Sequence, residues 1–127
     1  MEVTSHDERR LKLELRLAQL EKNETCQKQF LSFVKTIWPS FIQGRHHEII
    51  AEKLERVARG ELKRLIINMA PRHTKSEFAS FLFPAWMMGK NPNMKIIQAT
   101  HTTELAVNFG RKVKNLLDTE EFREVFP

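Results

Sequence analysis

Between Leu11 and Leu20 the apolar residues fall into two sets, Leu11/Leu15/Ala18 and Leu13/Leu17/Leu20, each at the three- and four-residue spacing of an α-helix. Ser5 followed by Glu8 supplies a capping pair, and no Gly or Pro interrupts the chain before Pro39. The "LKLELRL" run also alternates like a strand, but Leu, Glu, Lys and Arg are all good helix formers, so a helix is predicted. Its two stripes lie on nearly opposite faces, and a helix apolar on two sides wants two neighbours. A second helix is predicted from near Thr25, burying Phe30, Phe33, Val34 and Ile37 before Trp38-Pro39 ends it. "RHHEIIAEKLERVARG" gives a third, with Ile50, Leu54 and Val57 inward and Gly60 as its stop.

The periodicity then changes. "KRLIINM" is a short apolar run that predicts a strand covered on both faces. The turn "APRHTK" leads into a helix, "SEFASFLFPAWMMG", kinked by Pro84 and stopped near Gly89. "MKIIQAT" predicts a second strand, and Thr102 or Thr103 caps the helix "ELAVNFGRKVKNLLD". Strand, loop, helix, strand, helix is the order of a βαβ unit. The fold class expected is therefore α/β: a helical lead-in over 1–40, then over 41–127 the first βαβα unit of an incomplete parallel sheet. Two strands make a poor sheet, so the chain is expected to be the front of a larger domain.

Charge sharpens this picture only slightly. The net charge is +5; residues 1–40 carry seven basic and six acidic side chains, residues 41–127 fourteen and ten. Such an excess suits a phosphate-bearing partner and equally suits an ordinary solvated surface. Cys26 is the single cysteine, no apolar run approaches the roughly 20 residues of a membrane span, and the charged start leads into no signal-like segment. The expected setting is a reducing cytoplasm, with no membrane partner.

The candidate chemistry lies between the first predicted strand and the helix after it. A phosphate loop reads G-x-x-x-x-G-K-[ST], its glycines letting backbone N–H groups close around phosphate oxygens. Aligned on Lys75-Ser76, the glycine positions fall on Met69 and Thr74. The pattern fails at both, yet a helix start still offers unpaired N–H groups and a favourable dipole to an anion. In this reading Lys75 neutralises the β- and γ-phosphates of ATP, Ser76 offers its hydroxyl to Mg²⁺, and Arg72 grips γ-phosphate oxygens. His47-Glu48 begins like the zinc motif H-E-x-x-H, but Ala51 stands at the second ligand's place, so no metal site follows from it. His73 and His101, after the two predicted strands, could meet at one sheet edge, and Arg111 could serve a neighbouring nucleotide site.

Taken in succession, Trp38-Pro39, His46-His47 through "LERVARGE", "KRLIINM", "APRHTKSE", "FLFPAWMMG" and "IIQATHTTELAVNFGRKV" resemble the amino-terminal ATPase domain of large terminase subunits, the DNA-packaging motors of tailed bacteriophages. The match covers residues 38 to 127. The resemblance implies a P-loop ATPase with ATP and Mg²⁺ as cofactors and a variant loop over Pro71, Arg72, His73, Thr74, Lys75 and Ser76. It places Arg72 and Lys75 in the catalytic role, Ser76 on the metal, and Gln43, His46 and His47 near the adenine base. Implied partners are double-stranded DNA, further large subunits in a ring, the portal and the small terminase subunit, all in a host cytoplasm. Thr74 departs from the family, which usually has glycine before the lysine.

The expected function is thus that of a terminase large-subunit fragment, with the acidic motif and nuclease domain absent and little ATP turnover by this chain alone. Two rivals stand beside it. One is another P-loop DNA translocase or helicase-like ATPase, and the other a non-enzymatic assembly module whose first helix docks on a partner and whose loop is vestigial.

Overall fold

The computed structural model describes residues 4–127 as a bundle of six α-helices with one π-helical stretch. Helix α1 is Ser5–Lys28, α2 Phe30–Ile37, α3 Arg45–Ala58, α4 Phe83–Lys90, α5 Thr103–Leu117 and α6 Glu120–Val125. The π-helical turn Glu77–Leu82 runs directly into α4.

The helices begin and end where side-chain chemistry dictates. Thr4 rather than Ser5 caps α1, its hydroxyl accepting from the Asp7 N–H and donating to the Asp7 carboxylate at 2.7 Å. Helix α1 runs past Thr25 to Lys28, and the break falls at Gln29, whose extended backbone starts α2 instead. Gly60 closes α3 at φ 78°, a conformation in which a Cβ would be strained, and the Glu61 N–H reaches back to the Arg56 carbonyl at 3.0 Å. Thr102 caps α5 through the Leu105 N–H, and Thr119 caps α6, a helix that sequence periodicity did not predict.

The α/β expectation is overturned: no strand and no sheet form among the described residues. The segments 64–70 and 94–100 hold neither helix nor strand, and their burial alternates residue by residue as an extended chain's would. Leu65, Ile67 and Met69 rest on the helical body, whereas Ile66 is 85% exposed; likewise Ile96 is half-buried and Ile97 is 95% exposed. A buried parallel strand needs a hydrogen-bonded neighbour on each side and a layer on both faces. Here helices cover one face only, and no backbone hydrogen bond joins the two segments.

The π-turn has a sequence cause as well. Pro84 has no N–H to give to the Ser80 carbonyl, and the Gln98 side chain from the second extended segment donates to that carbonyl instead at 2.7 Å. The predicted kink thus becomes a wider turn pinned from outside. Phe78 and Leu82, one face of that turn, reach the core intact.

That core is aromatic. Phe30, Phe33, Phe78 and Trp86 are fully buried, Phe30 meeting Phe78 and Phe83 edge-on at 5.5 and 5.8 Å between ring centres. Such edge-to-face contacts add about 0.5–1.5 kcal/mol to the burial itself. The Trp86 indole N–H donates to the Cys26 carbonyl at 2.9 Å, so its polar atom is satisfied where water cannot reach.

Candidate functional site

The loop 70–76 joins the first extended segment to the start of the helix that carries the π-turn. The first bond of that helix runs from the Phe78 N–H to the Thr74 carbonyl at 3.0 Å, which leaves the N–H groups of Lys75, Ser76 and Glu77 without a helical acceptor. No side chain caps them. Two residues of the loop, Arg72 at φ 66° and Thr74 at φ 62°, hold the left-handed conformation without being glycine. For a β-branched residue this costs roughly 1–2 kcal/mol, so something must hold Thr74 there.

The restraint comes from α3. Gly44 precedes this helix, and its N–H donates to His47 Nδ1 at 2.8 Å. With Nδ1 accepting, the neutral ring carries its proton on Nε2 and donates to Thr74 Oγ1 at 2.6 Å. Thr74 Oγ1 in turn donates to the His73 carbonyl at 2.6 Å. Each donor faces one acceptor, and the chain is satisfied by a single tautomer. Burial lowers the His47 pKa below its usual value, and the neighbouring imidazoles of His46 and His73 push it the same way. A Cβ on Gly44 would lie 2.9 Å from the His46 ring, so a larger residue there would push that ring aside.

Of the residues singled out in the sequence, Pro71, Arg72, His73, Thr74, Lys75 and Ser76 form this loop, and His46 and His47 stand against it. His46 stacks on His47 with 3.8 Å between ring centres and lies 5.9 Å from His73. Gln43 donates to the Glu48 carboxylate at 2.7 Å. Gln43 Oε1 and His46 Nε2 are both buried with no hydrogen-bond partner among the described residues. A cleft of about 280 Å³ opens beside His46, between α3 and residues 65–69, with Ile49 and Lys53 on its wall.

Arg72 is exposed, Lys75 half-buried, and neither has a carboxylate partner among the described residues. Ser76 is exposed and its hydroxyl makes no hydrogen bond. Glu77, the first carboxylate after the loop, faces Lys112 of α5 at 3.9 Å. No group of three His, Cys, Asp or Glu side chains suited to a metal ion occurs among the described residues. A Mg²⁺ ion here would rest on phosphate oxygens, the Ser76 hydroxyl and water, a donor set that this hard ion accepts.

His73 and His101 do not meet; the neighbour of His73 is His46, since no sheet edge brings the two segment ends together. Arg111 is exposed on α5. The tie between His47 and Thr74 escaped the sequence reading, where His47 figured as a failed zinc ligand and as a neighbour of the adenine base. Its one visible trace was a histidine at an inward position of α3, three residues after a glycine.

No protein-family model, no curated protein and no solved structure matches this chain. Among the described residues no helix is long and apolar enough to cross a membrane.

Proposed function

We propose that the loop 70–76 binds the polyphosphate of a nucleotide, ATP in the first instance, and that the chain serves the nucleotide-binding part of a terminase-like DNA-packaging motor. The observation that carries this is the conformation of Arg72 and Thr74. Both hold, at a cost, the left-handed backbone that glycines give a phosphate loop, immediately before a helix start with free N–H groups. Lys75 supplies a point charge and Arg72 a planar one, with no carboxylate among the described residues to compete for either. The base would enter the cleft beside His46, whose Nε2 lacks a partner.

The wider role, with Mg²⁺, DNA, portal, small subunit and a ring of large subunits, rests on the ordered resemblance from Trp38 to Pro127. Binding without turnover is the activity proposed for this chain. Hydrolysis requires a group to orient water and a metal firmly held, and the first carboxylate after the loop, Glu77, is drawn toward Lys112. Calorimetry with ATP on the parent chain and on Lys75→Ala tests the reading. A loss of at least tenfold in affinity, about 1.4 kcal/mol, is expected; equal binding by both would refute the phosphate loop.

One observation favours a second reading, an assembly module with a vestigial loop: both apolar stripes of α1 are open to solvent. ATP binding by the parent chain decides between them.

A further inference from the structure

Helix α1 touches the body only near its end. Asn23 and Cys26 are its buried residues, while Leu13, Leu17 and Leu20 are 71%, 57% and 48% exposed and the opposite stripe, Leu11 and Leu15, is exposed as well. An isolated helix gains little from propensity, so a 24-residue helix bearing five bare leucines lacks a partner.

The charges flanking the stripes say which partner. Leu13, Leu17 and Leu20 follow the d, a, d spacing of a heptad, which places Arg9 and Arg16 at g and Glu14 and Glu21 at e. In a parallel pair of identical helices each g residue faces the following e' residue of the other. Arg9 then meets Glu14 of the second copy and Arg16 meets Glu21, both of opposite sign and both flanking the leucines. The antiparallel arrangement on the same leucines brings e to e' and g to g', so Glu14 faces Glu14 and Arg16 faces Arg16. The stripe Leu11/Leu15/Ala18 is poorer in apolar mass, and its one favourable parallel pair is Asp7 with Lys12.

We infer that α1 is a self-association helix: two copies of this chain pair in parallel along Leu13, Leu17 and Leu20, with Arg9–Glu14 and Arg16–Glu21 pairs fixing orientation. The seam has three leucine layers, bounded by Arg10 and Glu24 at the next a positions, so the dimer is weak and concentration-dependent. This does not depend on nucleotide binding. Arg10 already bonds Glu14 within the helix at 2.9 Å through one carboxylate oxygen, which leaves the other for the second copy.

Sedimentation equilibrium of the full chain between about 1 μM and 1 mM, the range in which a weak dimer dissociates, tests this. The mass should rise from monomer to dimer for the parent. It should stay monomeric for Leu17→Asp, with the cooperative melt of the body retained because this part of α1 is solvent-exposed. Arg9→Glu with Arg16→Glu should weaken self-association by roughly tenfold or more, and mixing that variant with Glu14→Arg/Glu21→Arg should restore a dimer. Under mild oxidation Arg10→Cys should give a covalent dimer, since a parallel pair sets that position against itself and an antiparallel pair sets it against Leu20. A monomeric parent at 1 mM, dissociation by Leu15→Asp but not Leu17→Asp, or indifference to charge reversal would each overturn the proposal.

Discussion

Thr74 gives the sharpest test of the loop, because two substitutions there separate backbone strain from hydrogen bonding. Thr74→Ala and Thr74→Gly both delete the hydroxyl that accepts from His47 and donates to the His73 carbonyl. Each therefore loses the same bonds, about 1–3 kcal/mol where the His47 N–H is left unpaired in a buried site. They differ only at the backbone. At an ordinary φ, glycine is less stable than alanine by about 0.5–1 kcal/mol, through the freedom it loses on folding. At φ 62° alanine keeps a penalty of roughly 1–2 kcal/mol that glycine escapes, so the order reverses. The net expectation is that Thr74→Gly is more stable than Thr74→Ala by about 0.5–1 kcal/mol, or about 2–5 °C in melting temperature for a chain of this size. Thermal and urea melts of the two variants measure it directly, without any ligand. Should the alanine variant melt higher, Thr74 does not hold the left-handed conformation and the loop loses its claim to resemble a phosphate cradle. The same pair at Arg72, whose side chain makes no hydrogen bond, should show the same order.

Other outcomes follow from single contacts. His47 is neutral in the fold with its pKa lowered, so its contribution is fully present above the unfolded value near 6.5 and lost as pH falls toward the lower folded value. Urea midpoints should drop between pH 8 and 5, and less steeply in His47→Gln; an unchanged slope in that variant would refute the assignment to His47. Gln98→Ala should cost about 1–3 kcal/mol, because it strips the Ser80 carbonyl beside Pro84 of its donor; a silent variant would mean that water replaces the amide. Asn23→Ala should destabilise by about 1–2 kcal/mol through the Glu124 carbonyl it leaves bare, while removal of residues before Leu20 should leave the melt cooperative.

The helices were legible where one face repeats and a cap or glycine marks the end. Phe30, Phe33 and Val34 in α2, Ile50 and Leu54 in α3, and the Gly60 stop all stand where spacing placed them. The strands were not, and the reason is instructive. "RLIINM" and "KIIQAT" have the composition and even the alternating burial of strands, but a strand is defined by a hydrogen-bonded neighbour, which local sequence cannot supply. Helix α6 was missed because six residues hold less than two turns of periodicity, and its one signal, Thr119 as cap, sits in a stretch that also reads as a turn. At the site, the residues singled out in the sequence form one contiguous loop, and contiguity guarantees proximity and nothing about geometry.

What geometry adds is a reason for the missing glycine. A phosphate loop needs a backbone that turns its N–H groups toward one point, and glycine is the cheapest way to obtain it. Thr74 reaches the same backbone region at a cost, and the hydroxyl that makes it costly also supplies the restraint, through His47 Nε2 at 2.6 Å. The imidazole can play this part only as the neutral tautomer, because its other nitrogen accepts from Gly44, and burial among Phe41, Phe78 and His46 keeps it neutral. The start of α3 and the loop are therefore one hydrogen-bonded unit, although 27 residues separate His47 from Thr74 in the chain. Glycine would leave the loop free to flex and independent of α3. Threonine couples it to the helix that also carries His46 and its unpartnered nitrogen.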